Sequence, residues 1–303
     1  MVHWLERLVR KDVLRPGQSM LEFGPQDCDV PRLLTKSAAA RLLGEEEAER
    51  RISEAYSGEG FNRQRQDALY GLFGITRYRS LDPFDPRSEY RYDLGTRVPL
   101  RRKFDVVTNF GTAEHVFNIE NVFRTAYNLL QVGGILLNVN PAHGDIDHGF
   151  YNLHPLIFRL LALHSGFEIA DMQFIDDIAA RTERAKQDPT ALYDFDALPL
   201  KLADMADEAR FKRLVYDRFI ANATDPGRPA LWPGQEAPTV FDYSFVALRR
   251  VCSGRFQPPY QYTEIPPGRL FNFAQSLNFA QAATTTLRTF KRKARRYIRR
   301  RKG

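Results

Sequence analysis

The sequence predicts a doubly wound α/β fold built on a seven-stranded, mostly parallel sheet, and three observations carry that expectation. Short apolar runs alternate along the chain with segments of helical periodicity, the pattern of parallel strands joined by crossover helices. The first run, Ser19-Met20-Leu21-Glu22-Phe23-Gly24-Pro25-Gln26-Asp27, ends in Glu-x-Gly, as a buried strand does when it turns sharply beneath a nucleotide-like ligand. Two later runs close on acids, Asp82 and Asp93, where a ribose and an adenine would sit.

Taken in order, the first strand is followed by a helix from Val30 to Leu43 and by a charged stretch, Glu45 to Glu54, that reads as a solvated helical face. Ile75 to Asp82 alternates and forms the second strand, and Tyr90-Arg91-Tyr92-Asp93-Leu94 the third. The distance from Gly24 to Asp82 far exceeds the roughly 20 residues of a dinucleotide fingerprint, so a helical insertion is expected over residues 45–74. Phe104 to Asn109 is the fourth strand, Ile119 to Leu130 an amphipathic helix, and Gly133 to Val139 a fifth strand after a Gly-Gly turn. A helix over Pro155 to His164 leads into a sixth strand, Gly166 to Phe174. Residues 176–223 are charged and helix-like, and residues 224–238 carry four prolines and read as loop, giving a second insertion over about 176–240. Phe241 to Leu248 is the last strand, so that one domain spans residues 1–255 and a Pro-rich linker with a C-terminal helix spans 256–303.

Composition excludes several classes. At 43% hydrophobic and 27% charged residues the chain is ordinary for a globular protein, and no apolar run approaches the roughly 20 residues that cross a bilayer. Met1-Val2-His3-Trp4-Leu5-Glu6 lacks a leader pattern, which predicts a cytoplasmic protein. Cys28 and Cys252 lie far apart with no metal-like spacing, so two free thiols are expected, with neither a disulfide framework nor a metal site. The net charge of +7 is a property of the tail: residues 288–303 hold ten Lys/Arg and no acid, leaving 34 basic against 37 acidic residues elsewhere.

With Leu21-Glu22-Phe23-Gly24, Asp82, Asp93-Leu94 and Phe104-Asp105-Val106-Val107 in these positions, the chain resembles a class I S-adenosylmethionine-dependent methyltransferase with a Rossmann-like fold. The resemblance covers roughly residues 15–175 and the last strand. It is nearest to bacterial methyltransferases of glycan and surface-polysaccharide biosynthesis, through Asn109-Phe110-Gly111-Thr112-Ala113-Glu114-His115-Val116-Phe117-Asn118 and His148-Gly149-Phe150-Tyr151-Asn152-Leu153-His154-Pro155. It implies S-adenosylmethionine as cofactor, held by Glu22, Phe23, Gly24, Pro25, Asp82, Asp93, Leu94, Asn109 and Gly111. One departure stands out, in that Gln26 and Cys28 occupy the places of the second and third glycines.

The residue chemistry is consistent with that role. Gly24 lets backbone approach the methionine part of the cofactor, Asp82 suits two ribose hydroxyls, and Asp93 with the Leu94 amide suits an adenine edge. Methyl transfer from a sulfonium needs chiefly an oriented nucleophile in a dry pocket, whereas a hydroxyl acceptor also needs a base. His115 and His148 are the candidate catalytic bases, with His154 nearby. A histidine that shapes its loop through backbone hydrogen bonds is the competing reading for His115 and His154. Glu114 either positions the acceptor or caps the helix that follows. Tyr151 and Phe150 either stack on a sugar ring or fill the space under their loop. Glu114, Tyr151 and His154 are thus candidate acceptor contacts. Gln257-Pro258-Pro259-Tyr260 is similar to the Pro-Pro-Tyr motif of amino-methylating enzymes, but that motif follows the fourth strand, so here it reads as linker.

From Leu287 onward Leu287, Phe290, Ala294, Tyr297 and Ile298 share one face of a basic amphipathic helix. Such a helix at residues 287–303 suits an anionic membrane surface, which fits a lipid-linked glycan acceptor and a location at the inner face of the membrane. Nucleic acid would attract the same charge and is the weaker expectation; a solubilising tail is the third. Beside the enzyme stands a non-catalytic module that keeps the fold and binds membrane or nucleic acid through its tail. A nicotinamide-dependent oxidoreductase is disfavoured by Glu22 and Gln26, since its turn needs Gly-x-Gly-x-x-Gly.

Overall fold

The computed structural model describes residues 1–28, 30–143, 148–175 and 242–259. Six strands form its main sheet: β1 (Gln18–Phe23), β4 (Ile75–Leu81), β5 (Phe104–Phe110), β6 (Leu130–His143), β7 (Phe167–Ile175) and β8 (Asp242–Arg250). Two short strands, β2 (Tyr56–Ser57) and β3 (Gly60–Phe61), pair separately as a hairpin. The main order is β4-β1-β5-β6-β8-β7, with β4, β1, β5 and β6 mutually parallel and β8 antiparallel to both neighbours. The chain runs from β1 outward to β4, then returns to the other side of β1 for β5. This reversal falls at the carboxyl ends of β1 and β5, and at such a reversal doubly wound sheets take ligands in a crevice.

The expected α/β class is therefore observed, with six sheet strands rather than seven among the described residues. Tyr90–Leu94 does not form the third strand. Only Tyr90 bridges Leu81, its N–H donating to the Ser80 carbonyl at 3.1 Å and its carbonyl accepting from the Asp82 N–H at 3.0 Å. Beyond it Tyr92 is half-buried and Leu94 buried while Arg91 and Asp93 are exposed, but the segment pairs with no strand past Tyr90 among the described residues, and Asp93 starts a turn instead.

Among the described residues there are six α-helices: α1 (Val2–Arg10), α2 (Arg32–Leu43), α3 (Glu45–Ala55), α4 (Gln66–Gly71), α5 (Ile119–Leu129) and α6 (Leu156–His164). Strand residues Met20, Ile75, Val106, Phe110, Ile135, Leu137, Phe245 and Ala247 join the buried side chains of α1 to α4 in one core. The alternate residues Leu21, Phe23, Val107, Leu136, Val246 and Leu248 are buried on the opposite face, the period of two that a two-sided sheet requires. On α3 the charged stretch is solvated on one side, where Glu47 pairs with Arg50 and Arg51, while Ala48, Ile52 and Ala55 are buried at helical spacing.

Helix α1 is an addition to the expected elements. Val2, Trp4, Leu5 and Leu8 fall on one buried stripe. Trp4 packs edge-on against Phe110 and Phe245, with ring centroids 6.5 and 5.4 Å apart. Its indole Nε1 donates to Asp171 Oδ2 at 3.0 Å, and the Arg7 guanidinium meets Asp171 Oδ1 at 3.3 Å, so a buried ion pair fastens α1 to β7.

The insertion expected over 176–240, the Pro-Pro segment at Pro266-Pro267 and the basic helix from Leu287 lie outside the described residues. Among the described residues no helix is long and apolar enough to cross a membrane.

Candidate active site at the carboxyl ends of β1 and β5

The turn after β1 is built for close approach. Gly24 has φ +67° in the left-handed region, and its N–H donates to the Leu81 carbonyl at 3.0 Å, tying the turn to β4. Thr112 Oγ1 donates to the Phe23 carbonyl at 2.6 Å, and a Cβ on Gly24 would come within 2.9 Å of that hydroxyl oxygen. Phe23 itself is a core side chain. Gln26, in the place of a glycine, folds back so that Nε2 donates to the Gly24 carbonyl at 3.0 Å. The Pro25 carbonyl accepts from Arg87 Nη2 at 3.0 Å, and the same guanidinium meets Asp27 at 2.7 Å and Asp85 at 2.6 Å. Arg87 thus links the loops after β1 and β4, a role that no sequence motif announces.

Glu22 is fully buried. Its carboxylate accepts from the hydroxyls of Tyr70 and Tyr78, whose rings stack 5.6 Å apart, and from the backbone N–H of Gln26. Burial raises its pKa from 4.5 to about 7, against the opposing pull of these donors and of Arg87. Glu22 therefore braces the floor of the crevice and is reached there by two tyrosines from α4 and β4.

The two acids proposed for the ribose and adenine each fold onto their own loop. Asp82 Oδ1 accepts the amides of Phe84 and Asp85, both at 2.8 Å, and Asp93 Oδ1 accepts that of Gly95 at 2.7 Å. Asp82 still follows β4 immediately, beside the β1 turn, whereas Asp93 is exposed and no strand ends there. Leu94 is buried, and its carbonyl accepts from Asn121 Nδ2 at 2.7 Å.

On the β5 side a buried amide ladder organises the loop. Asn109 Nδ2 donates to Asn138 Oδ1 at 3.0 Å and to Asn140 Oδ1 at 3.1 Å, while its Oδ1 accepts the Ala113 N–H at 2.8 Å. Gly111, with φ +66°, turns the chain into a short 3-10 segment, Ala113–His115. This segment buries Glu114 completely, and Asn140 Nδ2 donates to Glu114 Oε2 at 2.8 Å. Asn138 and Asn140 escape the sequence reading, although Asn-x-Asn in the otherwise apolar Leu136-Leu137-Asn138-Val139-Asn140 is a visible signal.

The second loop arrives over this carboxylate. Phe150 N–H donates to the Glu114 carbonyl at 2.7 Å, and a Cβ on Gly149, φ +67°, would lie 2.8 Å from that oxygen. Only glycine permits this contact, which carries His148 to the spot: His148 Nε2 is 3.8 Å from Glu114 Oε1 and 3.1 Å from His115 Nε2. Glu114, His115 and His148 thus converge, with ligand atoms all within 4.8 Å of one another. Both histidines reach solvent while the carboxylate behind them does not. Tyr151 OH donates to the Phe117 carbonyl at 2.8 Å, and the exposed rings of Phe117 and Phe150 meet edge to face at 5.9 Å beside the pair. His154 does not join this cluster; its Nδ1 accepts the Leu156 N–H at 3.1 Å where α6 begins.

No family model matches the chain, and no curated protein matches it either. Among solved structures the chain is similar to a protein of Bacillus halodurans C-125 proposed as a methyltransferase, at 13% identity over 81% of this chain and 98% of the other, with TM-score 0.40. An O-methyltransferase of a trans-AT PKS multienzyme from Brevibacillus brevis, in complex with S-adenosyl-L-homocysteine, aligns at 10% identity over 82% and 71% with TM-score 0.39. The [4+2]-cyclase SpnF aligns at 13% identity over 82% and 81% with TM-score 0.37. At such values these likenesses say nothing of chemistry; the fold class rests on the strand order and register described above.

Proposed function

We propose that the protein transfers the methyl group of S-adenosylmethionine to a hydroxyl of a sugar or glycan intermediate. The observation that carries this reading is a juxtaposition. Gly24 and Gly111, both in left-handed backbone, flank the crevice at the strand-order reversal, and the loop that continues from Gly111 delivers a histidine pair backed by a buried carboxylate. The close turn at Gly24 and the loop at Asp82 would take the cofactor, with the aromatic rim of Phe117, Phe150 and Tyr151 set against the ring of the acceptor. His148 accepts the hydroxyl proton as the oxygen attacks the methyl carbon; the sulfur–methyl bond breaks, an oxygen–methyl bond forms, and S-adenosylhomocysteine leaves. Glu114, held by Asn140, favours the imidazolium that results. The basic residues of 287–303 belong to the same proposal, drawing the enzyme to an anionic membrane that carries a lipid-linked acceptor.

Calorimetric titration with S-adenosylmethionine and S-adenosylhomocysteine tests the reading. Micromolar binding by the wild type, weakened in both Asp82→Ala and Asp82→Asn, supports the cofactor site; the Asn variant keeps a turn acceptor for Phe84 and Asp85 and isolates the charge. Absence of binding by the folded wild type would refute methyl transfer.

A further inference from the structure

We propose that Glu114, His115 and His148 bind a first-row divalent cation of zinc's class, with three protein ligands and an open fourth position. The inference stands on this cluster's geometry alone and holds whether or not the methyl-transfer reading does. A tetrahedral zinc with bonds of about 2.0–2.1 Å sets its ligand atoms roughly 3.3 Å apart. The Nε2 atoms of His115 and His148 lie 3.1 Å apart and His148 Nε2 is 3.8 Å from Glu114 Oε1, two spacings that bracket that value, and the three ligand atoms all lie within 4.8 Å of one another. Two imidazoles whose Nε2 atoms meet, with a carboxylate beside them, form the nitrogen and oxygen donor set that zinc, iron(II) and cobalt(II) favour.

The surroundings suit a bound cation. Asn140 Nδ2 donates to the second carboxylate oxygen at 2.8 Å and so fixes the direction in which Oε1 points, as outer-shell partners of metal ligands do. The carboxylate is wholly buried while both histidines are open to solvent, so a cation held there would be reachable by a small oxygen ligand from the histidine side. Neither cysteine takes part, which is why the cysteine spacing predicts no metal. With a cation bound, His148 would serve as a ligand and not as the base, and the cation would supply the polarisation of the acceptor hydroxyl.

The test uses the full chain, untagged and stripped with a chelator, titrated with cobalt(II) and followed by visible absorption, then displaced with zinc. One cobalt per chain with the bands of a low-coordinate site is the expected result. His115→Ala and His148→Ala should each weaken uptake by on the order of tenfold or more, with unchanged thermal melts in the absence of metal, because both side chains lie at the surface. No saturable uptake at millimolar cobalt would overturn the site, as would stoichiometric uptake that persists in the double variant. A titration of the stripped protein with S-adenosylhomocysteine separates the two proposals: cofactor binding without metal uptake refutes the cation site alone, and the converse refutes methyl transfer alone.

Discussion

Replacing Glu22 by glutamine should change how the stability of the protein depends on pH, in a direction set by burial. The carboxyl group is fully enclosed and its pKa rises from 4.5 to about 7, because desolvation outweighs the donors that surround it. Between those values the folded state binds a proton that the unfolded state has released, so stability falls as pH rises across that window. Below pH 4.5 both states are protonated, and above about 7 the loss is complete. At 1.36 kcal/mol per pH unit, the displacement corresponds to about 3 kcal/mol. Glutamine keeps the size and an acceptor for a tyrosine hydroxyl while removing the ionisation. Urea melts of both proteins from pH 4 to 8 give the difference directly. His3 must be compared out in this way, because burial lowers its pKa to about 3 and its contribution runs the other way, with stability lost as pH falls below 6.5. The expected outcome is near-equality at pH 4 and a Glu22→Gln advantage that grows to about 3 kcal/mol by pH 8. A difference that is flat with pH would refute the reasoning, and one of opposite slope would mean that the tyrosines dominate burial.

Other substitutions test the supports of the site. Asp171→Ala removes the buried carboxylate shared by Arg7 and the Trp4 indole and should cost about 3–5 kcal/mol in a denaturant melt, with Asp171→Asn, which retains an acceptor for Trp4, losing less. Gly149→Ala meets both a left-handed backbone penalty of about 1–2 kcal/mol and the Glu114 carbonyl, so methyl transfer should fall more than cofactor affinity when the two are measured on one preparation. Asn140→Ala removes the donor to Glu114 Oε2; stability should drop by about 1–3 kcal/mol and kcat should fall with little change in KM.

Elements whose signal is local were legible in the sequence. The apolar runs ending at Gly24 and starting at Phe104 became β1 and β5, because a strand buried on both faces shows itself as continuous hydrophobicity, while the alternating run from Ile75, exposed at several positions, became the edge strand β4. Tyr90–Leu94 failed although it alternates and buries Leu94, because alternation signals a face to cover and not a neighbouring strand to pair with: only Tyr90 bridges β4, and Asp93 turns the chain away. Helix α1 has a plain stripe of Val2, Trp4, Leu5 and Leu8, hidden from a reading that asked of this segment only whether it was a leader. The site was legible as parts. Glu114, His115 and His148 could be named, but 33 residues separate the two histidines, and only the backbone fit of Gly149 against Glu114 brings their rings into contact. Glu22 was legible as a position and not as an environment, since its two tyrosines come from α4 and β4, 48 and 56 residues further along.

The place of β8 has a consequence for the order in which the protein can be assembled. Among the described residues β7 pairs in the sheet with β8 alone, and β8 begins at Asp242, long after β7 has ended at Ile175. As the chain leaves the ribosome, the parallel strands from β4 to β6 can pair in sequence, but β7 must wait without a partner until the last strand slots in beside β6. Asp171 waits with it, and so the buried tether of α1 through Trp4 and Arg7 closes only then. The first helix and the last strand therefore become fixed in the same late event, and a chain ending before residue 242 would be left with loose structure at both extremes rather than at one.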